Sequence, residues 1–174
     1  MGNFPITLTV IDNEGQRDSI SQAVSPQAVV DIAVTSMATS KTIVGQGSEA
    51  SIRVTVQNRG DLSETFSLTA YADLDTNIIG DEITIETQTT TLLSGSQSTM
   101  ILTFRTQGVT KGNYAITAYA IPLPSETNTT NNILKGAWII VSRIGDVTGP
   151  QGMPDGRVDI RDLAAMAKSF GANF

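Results

Sequence analysis

Apolar and polar residues alternate with a period of two along most of the chain. Phe4, Ile6, Leu8 and Val10 are spaced by Pro5, Thr7 and Thr9, the pattern of a strand with one buried face. Asp12-Asn13-Glu14-Gly15 supplies a turn, and Ile20, Gln22 and Val24 fall on one face of a returning strand. Residues 1–25 are therefore expected to hold a β-hairpin, too little sheet to be stable in water alone. After the short linker Ser25-Pro26-Gln27, residues 28–142 read as strands punctuated by turn signals every 8–14 residues. Strands are expected at 29–37, 49–58, 64–72, 82–87, 98–106, 113–121 and 135–141. Ile52, Val54 and Val56 form one inward row; Phe66, Leu68 and Ala70 form another. Met100, Leu102 and Phe104 repeat the pattern, as do Tyr114, Ile116 and Ala118. Seven strands in roughly 110 residues predict an all-β, immunoglobulin-like antiparallel β-sandwich. The period changes near the end. Leu163, Met166, Ala167 and Phe170 recur at helical spacing up to Gly171, so 143–174 should be a loop and one short amphipathic helix.

Composition narrows the function classes. Cysteine and histidine are absent from all 174 residues, which removes thiol and imidazole catalysis, disulfides and Cys/His zinc sites. The net charge of −6 has the wrong sign for nucleic acid or an anionic membrane surface. No apolar run approaches the roughly 18–20 residues of a membrane span. Charged residues make up only 16%, and 23 Thr and 15 Ser carry the surface polarity instead. An enzyme is not expected. Met1-Gly2-Asn3 leads straight into the first strand pattern, with no cationic segment or cleavage motif; this is expected of a mature form, or of a longer chain lacking its N-terminal part.

Three resemblances follow from local wording. The stretch from Thr7 to Ser19 (TLTVIDNEGQRDS) resembles the last hairpin of PKD-type β-sandwich modules. Val54-Thr55-Val56-Gln57-Asn58-Arg59-Gly60, then Gly112-Asn113-Tyr114-Ala115-Ile116, then Glu126-Thr127-Asn128-Thr129-Thr130-Asn131-Asn132 resemble, in that order, a CARDB domain. That resemblance covers about two thirds of the chain and implies a non-catalytic module of prokaryotic cell-surface proteins. Asp155-Gly156-Arg157-Val158-Asp159-Ile160-Arg161-Asp162 resembles the calcium loop and helix of a dockerin repeat. Here the span from Asp146 to Asp162 is 17 residues against the 12 of a standard EF-hand loop, and the chain holds one repeat where dockerins carry two.

The carboxylates have a chemical reading of their own. Asp146, Asp155, Asp159 and Asp162, with the Arg157 carbonyl and Thr148 at the start of the inserted loop, suit Ca²⁺, which takes six to eight oxygens at variable geometry. Four crowded carboxylates repel one another without a cation. The plainer alternative is that Asp155 and Gly156 make a turn, Asp159 caps the helix and Asp162 complements its dipole. A second cation could sit at Asp73-Leu74-Asp75-Thr76-Asn77, although such loop acids are usually solvated. Asp31, Asp61 and Glu64 resemble a carboxylate pair but sit at strand ends. Asn128-Thr129-Thr130 is a glycosylation sequon. Trp138 and Tyr119 are expected to be packing residues.

The expected function is an extracellular, calcium-stabilised structural or adhesive protein, whose partners are other copies of itself or neighbouring surface-protein domains. Phe4, Ile6, Leu8 and Val10, through head-to-tail strand donation into a filament or layer, and the Leu163, Met166 and Phe170 stripe are the expected assembly surfaces. The alternative is a carbohydrate-associated or spacer module of a larger secreted protein.

Overall fold

The computed structural model describes residues 3–74, 82–148, 154 and 157–171, with side chains as far as Lys168. Two antiparallel strands, β1 (Phe4–Ile11) and β2 (Arg17–Val24), form the N-terminal hairpin. Asp12 holds its turn by accepting the Glu14 and Gln16 N–H groups on Oδ1 at 2.9 and 2.8 Å. Eight further strands build a β-sandwich: β3 (Ile32–Thr39), β4 (Ile43–Gly45), β5 (Glu49–Asn58), β6 (Glu64–Asp73), β7 (Ile83–Leu92), β8 (Gln97–Arg105), β9 (Gly112–Ala120) and β10 (Ile133–Ser142). One sheet runs β4-β10-β9-β6-β7 and the other β3-β5-β8. All pairings are antiparallel except the short parallel contact of β4 with β10. Among the described residues a single helix, α1 (Ile160–Gly171), follows.

The inward rows expected from alternation form the core. Ile52, Val54, Val56, Leu68, Leu102, Ile116 and Ile139 are fully buried. Phe104 and Tyr114 meet edge to face across the sheets, centroids 6.1 Å apart, a favoured quadrupole arrangement. The Tyr114 hydroxyl donates to the Thr110 carbonyl at 2.9 Å, so its burial leaves no polar group unmatched.

Three strands depart from the expected boundaries, and β4 is additional. Strand β3 runs Ile32–Thr39 rather than 29–37, because the Val29 and Asp31 carbonyls accept the Asp61 and Arg59 N–H groups of the β5–β6 turn instead of joining the ladder. Strand β7 runs on to Leu92 because Thr87, Thr89 and Thr91 point outward and pair with Thr69, Ser67 and Thr65 at 2.7–2.9 Å. A threonine-rich stretch with one solvated face shows little hydropathy contrast. Strand β10 begins at Ile133, before a register shift between Lys135 and Ala137. Strand β4 has three residues, too few to carry a period.

The Val54-to-Gly60 wording is explained by one buried amide. Asn58 is 0% exposed. Its Nδ2 donates to the Leu62 and Leu92 carbonyls at 2.7 and 3.0 Å, and its Oδ1 accepts the Gly60 N–H at 2.9 Å. Its backbone pairs with Ser96 and Gly95. Gly60 must be glycine: an added Cβ would lie 2.5 Å from the Val29 carbonyl oxygen. The Glu126-to-Asn132 wording is equally structural. Glu126 accepts the Ile32 N–H at 2.6 Å and the Leu123 N–H at 2.8 Å, and Asn131 Nδ2 donates to Asp31 at 2.7 Å. Asp61 accepts the Val29 N–H at 2.9 Å. Asp31 and Asp61 therefore hold the chain entering β3.

Replacing Asn58 with Ala strips hydrogen bonds from three backbone groups, two of the bonds buried and the third part-buried. It should destabilise the sandwich by about 3 kcal/mol or more, read by urea unfolding. Gly60→Ala should also destabilise it, because the obstacle is backbone rather than a movable side chain.

Candidate functional site

The chain leaves β10 through a turn in which the Asp146 N–H donates to the Arg143 carbonyl at 3.1 Å. Gly145 has φ +87° there, a conformation glycine adopts without a Cβ penalty. The turn delivers Asp146 into the interior, where it is 2% exposed.

Asp162 joins this loop to α1. Its Oδ1 accepts the Val147 and Thr148 N–H groups at 2.8 and 2.9 Å, and its Oδ2 accepts the Asp159 N–H at 2.8 Å. Asp159 Oδ1 in turn accepts the Arg161 N–H at 2.8 Å. Asp159 is thus the N-cap, and Asp162 at the third helical position reaches back to it, a reciprocal capping box with Asp in place of Glu. Both carboxylates also lie where the helix dipole favours negative charge. Asp162 is only 1% exposed. The Asp159 N–H first, then that of Thr148, hold its carboxyl below the ordinary aspartate range.

The structure brings Asp146 and Asp162 to one loop, since Asp162 grips the residue next to Asp146. Asp159 lies at the same helix start but is exposed and occupied in capping. Arg157 is exposed, and Asp155 lies outside the described residues. Among the described residues no group of three carboxylates is arranged to hold a metal ion. The capping roles of Asp159 and Asp162 are visible directly, and Asp146 and Asp162 are the buried carboxylates of this region. The Asp73-to-Asn77 candidate falls mostly outside the described residues.

On α1, Leu163 is 58% exposed rather than docked on the sandwich, and Met166 is half-buried; the Phe170 side chain lies outside the described set. On the hairpin, Phe4, Ile6, Leu8 and Val10 are each about 60% exposed. Register adds Val24 opposite Phe4 and Ile20 opposite Leu8, giving one apolar face. Asn128 is exposed, and its amide oxygen accepts the Thr130 hydroxyl at 2.9 Å.

Trp138 corrects the expectation of a packing residue: it is 50% exposed on the outer face of the five-stranded sheet. Tyr71 and Tyr119 are half-buried on the same face. The signal was present as parity, because each tyrosine stands between two inward alanines, Ala70 and Ala72 or Ala118 and Ala120.

The CARDB family model matches residues 25–136. No curated protein gives a significant match. Among solved structures, the CARDB domain of a Pyrococcus furiosus protein, in complex with di-metal ions, is 17% identical over 67% of this chain and 97% of its own, with a TM-score of 0.50. A β-glucosidase from Erythrobacter marinus is 13% identical over 64% of this chain and 15% of its own, with a TM-score of 0.49. At such identities the likeness to the archaeal domain is one of fold.

The depressed acidity of Asp162 fixes the sign of a pH effect. Its carboxylate stabilises the loop and helix above the unfolded aspartate value, about pH 4, and that contribution is lost as pH falls through the lower folded value. Helical circular dichroism in EDTA should therefore decline below about pH 4. Asp162→Ala should lose that signal already at neutral pH while the sandwich stays folded; an unchanged helix in this variant would show the capping box to be dispensable.

Proposed function

The chain belongs to the CARDB family, a domain type of cell-surface proteins, through residues 25–136, and from that premise we propose that it is a non-catalytic extracellular module that works by protein contacts. The observation carrying this reading is the hairpin. All sixteen residues of β1 and β2 are exposed, one face is apolar, and both outer strand edges are open. Uncovered, such a sheet is an aggregation liability. Strand addition from a second copy covers it, because backbone groups and alternate side chains are then satisfied together. Each large side chain buried this way contributes about 1.5–3 kcal/mol. Donor and acceptor surfaces differ, so the contact is head-to-tail and either closes a ring or continues as a filament.

Calcium is the second part of the proposal. Asp146 and Asp162 supply two buried carboxylates, and Asp155, Asp159, the Arg157 carbonyl and Thr148 complete the proposed oxygen set. The cation would offset the cost of burying acidic groups together.

Light scattering tests the first part: the parent should grow in mass with concentration, whereas Ile6→Asp with Leu8→Asp should remain monomeric and folded. A parent that is monomeric at high concentration removes self-assembly. For the second part, Ca²⁺ should raise the melting temperature by mass action, and Asp146→Asn should abolish the rise. Equal melting in Ca²⁺ and EDTA contradicts it.

A further inference from the structure

Strands β10, β9 and β6 present Trp138, Ala115 and Asp73 in one cross-sheet row. Two residues along β6 and β9, Tyr71 stands opposite Thr117, and Tyr119 follows on the same face. Two depressions of about 350 and 450 Å³ lie here side by side. Tyr71 and Tyr119 line the first, Trp138 lines the second, and Asp73, Thr117 and Lys135 are common to both. They form one shallow cleft with an aromatic at each end. From Trp138 to Tyr119 the cleft extends about 14 Å, four residues of strand rise.

We propose that this cleft binds a neutral oligosaccharide. A pyranose ring has an apolar C–H face bounded by hydroxyls that both donate and accept. Aromatic rings match the former, and a mixture of carboxylate, ammonium and hydroxyl groups matches the latter. Among the described residues, the Tyr71 and Tyr119 hydroxyls and the Trp138 indole N–H make no hydrogen bond, unlike the buried Tyr114 hydroxyl. They remain available to a ligand. Charge decides the class: Asp73 and Glu82 outnumber Lys135 in the cleft, on a chain of net charge −6, which disfavours a polyanionic glycan or nucleic acid. Beyond the cleft, the hydroxyl pairs Thr69–Thr87, Ser67–Thr89 and Thr65–Thr91 continue the face. A protein interface of standard size needs roughly 800 Å² per partner with an apolar centre, and a threonine ladder does not supply one. This surface is separate from the hairpin, and its test is independent of self-assembly.

Trp138 is the single tryptophan, so its fluorescence reports directly on the cleft. The full chain is titrated with cellohexaose, xylohexaose and mannohexaose, with oligoalginate as the anionic comparison, by fluorescence and calorimetry. At least one neutral hexasaccharide should shift the emission and release heat. Trp138→Ala, Tyr71→Ala and Tyr119→Ala should each weaken binding about tenfold, the scale of one lost aromatic contact, with melting temperatures close to the parent. Ile101→Ala, exposed on the three-stranded sheet, should bind as the parent does. The proposal is overturned by no response to any of the three neutral sugars, by binding of oligoalginate alone, or by undiminished affinity in the aromatic variants. It is equally overturned by an emission that changes with protein concentration and not with sugar, which would mean that a second copy covers the face.

Discussion

Asn58 spends both amide donors and its amide oxygen at one buried point between the two sheets. It ends β5 of the three-stranded sheet, and its amide reaches the end of β7 in the five-stranded sheet and the chain entering β6. Its own backbone pairs with the β7–β8 turn. A buried amide with every partner in place fixes relative position in a way that interchangeable aliphatic contacts do not. Gly60 can then approach the Val29 carbonyl, which aligns the chain entering β3, and Glu126 with Asn131 clasps that strand from the opposite side. At the remaining edge, Glu86 accepts the Thr103 N–H at 2.7 Å and Gln88 donates to the Ile101 carbonyl at 2.8 Å. Those two side chains bridge β7 to β8 where the ladders stop. The hydrogen bond from Gln88, followed by that from Thr103, keeps the Glu86 carboxyl below its usual range.

Four inward alanines flanked by outward aromatics give one part of the five-stranded sheet its character. Ala70, Ala72, Ala118 and Ala120 are fully buried, so β6 and β9 fill little volume at these inner positions, while Phe66, Leu68, Tyr114 and Ile116 fill the rest of the inner face. Beside these alanines the large side chains point outward, in Tyr71, Tyr119 and, on β10, Trp138. Strand parity converts this division into a surface: once the alanines face the core, the aromatics must face solvent. The hairpin shows the same rule without a core to enforce it, and its apolar face stays open.

The alternating rows through Ile52, Leu68, Leu102 and Ile116 were legible in the sequence because one buried and one solvated face leave a period-two signal. The threonine extension of β7 was not, since its pairing is through hydroxyls rather than hydropathy. The capping box was partly legible: Asp159 and Asp162 have the right spacing, but the grip of Asp162 on Val147 and Thr148 joins residues 14 and 15 apart. Trp138 was misjudged by residue type, when its position between the inward neighbours Ala137 and Ile139 carried the information. The CARDB wording marked the residues that hold the sandwich together, Asn58, Gly60, Glu126 and Asn131. It did not mark the exposed surfaces, whose roles depend on what the fold leaves uncovered.

Native-state hydrogen exchange on the full chain, dilute and in EDTA, tests the dependence on Asn58 most directly. If its amide network holds the sheets together, the slowest amides lie in β5, β6, β8 and β9 and exchange only through global opening. The hairpin, equally well paired but without a core, exchanges far faster. In Asn58→Ala the sandwich amides should accelerate together, while the hairpin amides hardly change. A hairpin as protected as β5 in the dilute parent, or an Asn58→Ala variant whose sandwich amides keep their rates, would contradict this picture.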